Sequence, residues 1–233
     1  MRFNTIGIIC AMDEEMEQVV LHLDHVHTVL EQAGLKFIEG TASGLTVYVV
    51  RCGIGKVNSA LCSQIMIDKL DPDAVLNIGV AGALDDALEQ GDILISRSAQ
   101  QHDFDTSQLG DPKGIISRMD TSIFPADPDL IQAAEEAAEA AGLHYCLGKV
   151  VSGDQFIADE AKKNELIELF QGSCAEMEGA AMAHVCYLNR KPWVILRSIS
   201  DKADGQAELS YPEFLPLATK RAGVLFQHII EKL

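Results

Sequence analysis

Basic side chains are scarce in this sequence. Lysine and arginine together number 18 of 233 residues, against 35 aspartates and glutamates, which gives a formal net charge of −17 at pH 7. A field of that sign repels a phosphate backbone, so we exclude nucleic acid as a partner. An acidic surface of this kind still admits neutral or cationic small molecules.

Long apolar runs are also missing. No apolar stretch approaches the ~18 residues that a membrane-spanning helix needs, so no membrane association is expected. The short N-terminal apolar run in MRFNTIGIICAMDEE is followed at once by acidic residues, which is not the pattern of a signal peptide.

The six cysteines form no C-x-x-C pair, and most lie inside apolar runs, as small buried hydrophobic residues do. We therefore expect reduced thiols and a cytoplasmic location.

The sequence has no linker, no internal repeat and no low-complexity tract. With 48% hydrophobic and 23% charged residues it can bury a large core, and residues 1–233 are expected to form one domain. Strand-like apolar runs alternate with helical patterns, which predicts an α/β fold with a mixed, largely parallel sheet flanked by helices. The predicted strands are 4–11, 28–31, 35–39, 45–51, 74–78, 93–96, 147–151, 174–177 and 193–199, and the predicted helices are 13–23, 54–70, 128–142, 160–170, 178–188 and 211–233.

One long segment, residues 99–126, shows no clear period. It is predicted to be a loop, and a loop of that length inside a compact domain is often functional.

Two motifs suggest bound cofactors at first sight but lack the residues that would complete them. In GIGK (53–56) the third glycine of G-x-G-x-x-G is replaced by Asn58, and no serine or threonine follows Lys56. A tight strand-to-helix turn is the better interpretation. HDFD (102–105) could supply metal ligands, but no second cluster at ligand spacing exists, so a polar loop is favoured. We expect neither a cofactor nor a metal.

Three carboxylates follow predicted strand ends, where folds of this class bind their ligands. They are Glu15, Glu178 and Asp201. Each has a structural alternative, because an acidic residue favours a helix N-terminus and an aspartate can cap the next segment. The segments expected to meet at this edge of the sheet are 12–15, 53–56, 79–82, 152–156, 176–178 and 200–201.

Together these carboxylates match the requirements for cleaving the N-glycosidic bond of a purine nucleoside. An acid must protonate the purine N7, a base must activate water for attack at C1′, and the sugar hydroxyls must be held as oxocarbenium character develops. Asp201, Glu15 and Glu178 can fill these roles in that order.

Six stretches carry a resemblance that runs in order along nearly the whole chain. They are IGIICAMDEEM (6–16), CGIGKVNSA (52–60), NIGVAGAL (77–84), VVSGDQFI (150–157), AEMEGAAMAHVC (175–186) and RSISDKAD (197–204). The chain resembles the 5′-methylthioadenosine/S-adenosylhomocysteine nucleosidases of the purine nucleoside phosphorylase superfamily. The resemblance implies a nucleoside phosphorylase-like fold and a homodimer. It also implies hydrolysis of those two nucleosides to adenine and a 5-alkylthioribose, in methionine salvage.

The resemblance assigns catalytic roles to three residues. Glu15 matches the carboxylate that positions and activates the attacking water. Asp201 matches the acid that protonates N7, and Arg197 matches an arginine near the water and the sugar.

The resemblance assigns substrate-binding residues in the same way. Glu178 matches the acceptor of the ribose hydroxyls, Phe156 matches the aromatic that stacks on adenine, and Tyr211 lies near the ribose and the alkylthio group. The remaining expected substrate-binding residues are Met177 beside Glu178, Ile157, whose backbone meets the adenine edge, and Ala203, Val80, Ala81, Gly82 and Ser200.

Two stretches depart from the family pattern. The glycine turn is often G-[ST]-A-G in the family, whereas here Val80 stands in the second place and offers no hydroxyl. The loop after HDFD is often aromatic in the family and helps shape a neighbour's 5′ pocket, whereas here it reads DTSQLGDP (105–112). The preferred 5′ substituent therefore stays open.

Three alternatives also stay open. A phosphorylase of the same superfamily would need a cationic anion site, whereas Glu15 and Val80 stand where such a site would be. Another nucleoside hydrolase, such as one acting on futalosine, would use the same scaffold. A non-catalytic nucleoside-binding protein would need neither the acid nor the water carboxylate.

The helix that follows Gly55 is expected to form a two-fold interface. Val57, Leu61 and Ile65 form an apolar face, and the aperiodic 99–126 segment would complete a neighbour's 5′ pocket. An ordinary core helix is the alternative.

Overall fold

A mixed β-sheet sets the position of every other element. The computed structural model of the protein describes residues 3–204 and 206–233. The strands are β1 (Thr5–Cys10), β2 (Asp24–Gln32), β3 (Leu35–Ala42), β4 (Leu45–Arg51), β5 (Ala74–Ala83), β6 (Ile93–Gln101), β7 (Ile123–Pro125), β8 (Tyr145–Ser152), β9 (Cys174–Glu176) and β10 (Trp193–Asp201). The helices are α1 (Asp13–Val20), α2 (Lys56–Leu70), α3 (Pro128–Ala140), α4 (Glu160–Phe170), α5 (Gly179–Asn189) and α6 (Ala207–Ile229), with a short 3-10 turn at Ser107–Leu109.

The sheet closes on itself around β5. Its strand order is β10-β6-β8-β9-β5-β1-β4-β3-β2, and β10 also pairs with β5. The pairings β4–β1, β1–β5, β5–β10, β6–β8 and β8–β9 are parallel, while β2–β3, β3–β4, β6–β7, β6–β10 and β5–β9 are antiparallel. The predicted α/β class with a mixed sheet flanked by helices is confirmed. The sheet was expected to be largely parallel, whereas the pairings of the described strands divide evenly between parallel and antiparallel. Because parallel strands end at a common edge, the segments after β1, β4, β5 and β10 come together there.

Helices cover the two faces of the sheet with separate apolar clusters. On one face, α1, α3 and α6 contribute buried residues that include Val19, Leu130 and Phe226. On the other face, α2 and α5 contribute buried residues that include Met66 and Met182. Among the helices of the described ranges, none combines the length and apolarity that crossing a bilayer requires.

Strand β10 brings two charged side chains to the candidate site. All nine of its residues are buried, because both faces of the sheet are covered at this point, and its sequence is therefore largely apolar instead of alternating. Its second half nevertheless carries Arg197 and Asp201. Buried charges require partners, and both residues lie next to the candidate site.

The 99–126 segment is more regular than the predicted loop. Strand β6 continues through Gln101, and β7 pairs antiparallel with it, with Phe124 opposite Ala99. The prediction was wrong at these two ends because this pairing joins residues about 25 positions apart, and local periodicity cannot show it. Helix α6 also begins four residues before the predicted start at residue 211 and contains Pro212 and Pro216.

Candidate functional site

A cavity of about 350 Å³ opens at the carboxyl ends of the central strands. Its wall draws on the segments after β1 and β4, on the ends of β5, β9 and β10, and on the start of α6. The residues that line it are Ala11, Met12, Glu15, Ile54, Val80, Ala81, Gly82, Phe156, Ala175, Glu176, Met177, Glu178, Ser200, Asp201 and Tyr211.

Glu15 lies buried at the first turn of α1 and is held by three backbone N–H groups. Ala11 and Met12 donate to Oε2 at 2.8 and 3.0 Å, and Val80 donates to Oε1 at 3.0 Å. The hydrogen bond from the N–H of Met12 also caps helix α1. Glu15 therefore stabilises the start of the helix, and this structural role is compatible with a role in catalysis. Burial raises the pKa of Glu15, while Arg197 and the three N–H groups act in the opposite direction.

The close approach of Glu15 to β5 requires a glycine at position 79. A Cβ atom there would lie 2.4 Å from Oε1 of Glu15 and 3.3 Å from Nη1 of Arg197. Any side chain at this position would displace the carboxylate.

Arg197 lies behind the cavity wall and does not line it. It is 2% exposed, and its guanidinium donates to the side chains of Glu176 and Asn77 and, at 3.2 Å, to the backbone carbonyl of Asn77. Burial alone would lower the pKa of Arg197, but Glu176, Glu15 and Glu178 together raise it. The arginine therefore stays charged and offsets part of the negative charge of the cavity.

Glu176 lies in a segment that was expected at the site, but the sequence assigned it no role of its own. It pairs with Arg197, accepts from the hydroxyl of Ser152, and accepts from the backbone N–H of Gly179 at 2.8 and 3.0 Å at the start of α5. The E-x-E spacing of Glu176 and Glu178 at a strand-to-helix junction was the available signal, although acidic residues at a helix N-terminus were an equally good explanation from the sequence.

Glu178 faces the cavity with a strongly shifted pKa. Its Oε1 accepts from the backbone N–H of Gly55 at 2.7 Å. Burial and the neighbouring Glu176 raise the pKa of Glu178 to about 8, against the weaker opposing effects of Arg197 and Gly55. The carboxyl group therefore exchanges its proton near neutral pH.

This shift predicts how Glu178→Gln changes stability with pH. The pKa of a glutamate in the unfolded chain is 4.5 and that of folded Glu178 is about 8, so between these values the folded state binds more protons than the unfolded state. The wild-type protein should lose stability as pH rises from about 4.5 to about 8, and the neutral glutamine should not share that loss. Urea unfolding at pH 5 and pH 8.5 measures it. We expect the variant to gain stability relative to wild type at the higher pH; a constant difference between the two pH values would contradict the shift.

Asp201 ends β10 and closes a local turn. Its Oδ2 accepts from the hydroxyl of Ser200 at 2.9 Å, and its Oδ1 accepts from the backbone N–H of Ala203 at 2.8 Å. Burial raises the pKa of Asp201, while these two hydrogen bonds act against the rise. A Cβ at Gly82 would lie 2.7 Å from Oδ1, so the carboxylate packs directly on β5. The aspartate does not cap α6, which begins six residues later.

A small recess adjoins the main cavity beside Asp201. Ile157 and Ala203 line this recess and not the main cavity, and Gln155 lies with them. At the mouth of the main cavity, the rings of Phe156 and Tyr211 pack edge to face with centroids 5.7 Å apart. The Tyr211 hydroxyl donates to the sulfur of Met12 at 3.3 Å.

The cavity brings together most of the residues that the sequence analysis selected. Arg197 lies behind it, and Ile157 and Ala203 lie in the adjoining recess. Met12, Ile54 and Glu176 also line the cavity; they lie in segments that were expected to meet here but were given no role of their own. Ala11 and Ala175 lie just outside those segments.

The HDFD motif lies outside this cavity. His102 is 3% exposed, Asp103 pairs with Lys56, and burial lowers the pKa of His102. Among the residues that the structure describes, no group of three or more histidine, cysteine, aspartate or glutamate side chains could hold a metal ion.

Comparison with protein families and curated proteins gives consistent matches over nearly the whole chain. The sequence model of the phosphorylase superfamily matches residues 5–231. The 5′-methylthioadenosine/S-adenosylhomocysteine nucleosidase of Psychromonas ingrahamii is 40% identical over 230 residues, which is 98% of this chain and 99% of that protein.

Solved structures give the same result for the fold. The 5′-methylthioadenosine/S-adenosylhomocysteine nucleosidase of Neisseria meningitidis, in complex with methylthio-immucillin-A, superposes with a TM-score of 0.94 at 32% identity, covering 99% of this chain and 100% of that one. The futalosine hydrolase of Helicobacter pylori superposes with a TM-score of 0.93 at 32% identity, covering 99% of both chains.

Proposed function

The chain belongs to the phosphorylase superfamily and, within it, to the family of 5′-methylthioadenosine/S-adenosylhomocysteine nucleosidases, and on this basis we propose that it hydrolyses the N-glycosidic bond of those two nucleosides. The products are adenine and the corresponding 5-alkylthioribose. The observation that carries the proposal is one cavity with two buried carboxyl groups of raised pKa, Glu15 and Asp201, on different strand ends. Acid and base chemistry on one small molecule needs such a pair.

Asp201 is the proposed general acid. Burial favours its protonated form, and Ser200 and Ala203 fix the orientation of the carboxyl group. A proton delivered to N7 makes adenine a neutral leaving group. The recess lined by Ile157 and Ala203 beside Asp201 supports placing the base there, with Phe156 against its ring.

Glu15 is the proposed residue that positions and activates water. The three backbone N–H groups and nearby Arg197 limit the rise in pKa that burial causes, which supports an ionised carboxylate that can accept a proton. Positive charge that develops on the sugar as the bond breaks is favoured by the carboxylate of Glu15 and by Glu178 in its ionised form.

The sugar is proposed to lie between these groups. Glu178 would accept hydrogen bonds from ribose hydroxyls beside Met177, and Tyr211 and Met12 would contact the 5′ substituent at the mouth. The cavity-forming stretch of β5, Val80 to Gly82, and Ser200 would complete the lining.

The charge of the cavity favours water over phosphate as the nucleophile. Of the described residues that line it, none is a lysine or an arginine. The guanidinium of Arg197 is already bound by Glu176 and Asn77. A phosphate dianion beside a carboxylate would be repelled by on the order of 4 kcal/mol per pair of unit charges at 4 Å. Water carries no such penalty.

A futalosine-type nucleoside is the second candidate substrate. The similarity to the futalosine hydrolase of Helicobacter pylori supports it. The same acid, water and ribose groups would serve, and only the contacts at the mouth would differ.

A homodimer belongs to the same proposal. Ile54, Val57 and Leu61 are 55, 78 and 45% exposed and form an apolar patch where α2 begins. Ile65, expected on the same face, is instead buried in the core because the helix packs on the sheet there. A second copy of the chain that covers this patch beside Ile54 would reach the cavity wall.

The proposed homodimer should have a mass of twice 25.3 kDa when it is measured by light scattering at micromolar concentration. Val57→Asp should give a monomer with reduced activity, because the charge would be buried against the partner copy. Leu169→Asp is the control, since Leu169 is exposed on a different helix, α4, and its variant should stay dimeric. A fully active monomeric wild type would contradict the dimer.

The cellular setting is also proposed. The six cysteines are free, which supports a reducing compartment and the cytoplasmic location. The net charge of −17 supports a small-molecule substrate and no nucleic-acid partner.

We also propose that all 233 residues form one nucleosidase domain. It is proposed to act in methionine salvage without a cofactor.

The proposal is tested by incubating the purified enzyme with methylthioadenosine, adenosylhomocysteine and futalosine in separate reactions and following free base by chromatography. Release of adenine from the first two is expected. Turnover of futalosine alone would select the second candidate, and no release from any of them would reject the enzyme assignment.

A further inference from the structure

Two motifs that the catalytic account leaves unused meet beside Glu178. They are the GIGK turn (53–56) and the first half of HDFD (102–105), and they are joined by Asp154 from the turn after β8. Three loops that come from three different strands are therefore tied together next to the proposed ribose site.

The GIGK turn holds Glu178 at two points. Gly55 donates its backbone N–H to Oε1 of Glu178 at 2.7 Å, and the hydroxyl of Ser59, one turn into α2, donates to the backbone carbonyl of Glu178 at 3.0 Å. Gly55 has a φ of 99°, a conformation that residues with a Cβ rarely adopt. The direction of the Gly55 N–H depends on this unusual turn.

Asp154 holds the turn from the other side. Its Oδ1 accepts from the backbone N–H of Lys56 at 2.8 Å, which caps α2, a helix without an acidic residue in its first turn. A Cβ at Gly55 would lie 3.0 Å from the same oxygen, so the aspartate packs directly on the glycine.

Asp103 and Lys56 complete a closed ring of contacts among these three loops. Oδ2 of Asp103 accepts from the backbone N–H of Asp154 at 2.9 Å, and its Oδ1 pairs with the ammonium group of Lys56 at 2.5 Å. Gln101 accepts from the same ammonium at 3.1 Å. The side chains of Lys56 and Asp103 are 18 and 17% exposed, so solvent screens this pair far less than a surface pair.

We propose that Lys56, Asp103 and Asp154 are positioning residues for substrate binding, which fix the Gly55 N–H against Glu178 and so orient that carboxylate toward the ribose. The inference rests on the proposed function, in which Glu178 accepts the sugar hydroxyls. It gives GIGK and HDFD a role that requires neither a bound phosphate nor a metal ion. The lysine and the aspartate bind each other.

The consequence is an effect on binding that acts through Glu178. Asp154→Ala and Lys56→Met should each raise KM for methylthioadenosine and lower kcat/KM by about tenfold, with a smaller change in kcat. The dissociation constant of methylthio-immucillin-A, measured by calorimetry, should rise by a similar factor, which gives a readout independent of turnover.

A double-mutant cycle distinguishes positioning from simple destabilisation. The same two changes are made in a Glu178→Gln background, where the carboxylate that they orient is gone. We expect Asp154→Ala to alter inhibitor affinity there by less than about twofold. An equal loss of affinity in both backgrounds would overturn the inference.

Asp127→Ala is the matched control, because Asp127 caps α3 through Asp129 and Leu130 and does not line the cavity. It should lower the melting temperature and leave KM unchanged. A comparable rise in KM for this variant would trace the effect to stability and overturn the inference. A wild-type enzyme that releases no adenine would reject the proposed function, and the inference with it, before any variant is compared.

Discussion

Asp201→Asn is expected to lower kcat for methylthioadenosine by roughly 100- to 10,000-fold, the usual contribution of a general acid. Asparagine can hydrogen-bond to N7 but has no proton to transfer. The fold should tolerate the change, because the amide oxygen can still accept from the N–H of Ala203 and the amide nitrogen can donate to the hydroxyl of Ser200. Substrate affinity should therefore remain within several-fold of wild type.

Initial rates and calorimetric binding on the same preparations check this prediction. Asp127→Asn is the matched control, since asparagine caps a helix about as well as aspartate and the residue lies outside the cavity wall. It should keep nearly full activity. An Asp201→Asn enzyme that retains more than a tenth of wild-type kcat would show that another group supplies the proton.

The pH dependence of the rate should follow from the same assignments. Asp201 must carry its proton, and burial raises its pKa, so activity is expected to persist above the pH at which an exposed aspartate has lost its proton. Activity should decline on the alkaline side as Asp201 ionises.

Glu15→Gln is expected to reduce turnover by a comparable factor. Glutamine still accepts from the N–H groups of Ala11 and Met12 and loses only the hydrogen bond from Val80, so the start of α1 should be kept, but it cannot take a proton from water. The variant should bind methylthio-immucillin-A with measurable affinity, because the ribose and base contacts are untouched.

Glu17→Gln provides the comparison for this variant, since Glu17 is exposed on the same helix and should be neutral. Turnover and inhibitor binding are measured for both. Normal kcat in Glu15→Gln would exclude this residue as the group that activates water.

The sequence predicts those residues of the site that follow the ends of strands. Each of Glu15, Glu178 and Asp201 follows an apolar run, and the alignment of strand ends in an α/β sheet brings such residues together whatever their separation along the chain. The structure places all three on one cavity wall.

The sequence could not predict the contacts between different strands, helices and loops. Arg197 lies behind the cavity wall because Glu176 and Asn77 bind its guanidinium there, and neither partner could be identified from the sequence. The ring of Lys56, Asp103 and Asp154 joins three loops, and the pairing of β7 with β6 joins residues about 25 positions apart. Local periodicity reports neither kind of contact, since both depend on how the sheet closes.

Transfer of the sugar to water is the central claim, and the identity of the sugar product tests it most directly. Methylthioadenosine is incubated with the enzyme in phosphate-free buffer and again in millimolar phosphate, and the products are identified by mass. We predict adenine and free methylthioribose in both reactions, at equal rates, because no lysine or arginine among the described residues lines the cavity to bind an anion and Glu15 is the proposed group that activates water. Methylthioribose 1-phosphate as the product, or a strict requirement for phosphate, would contradict the account.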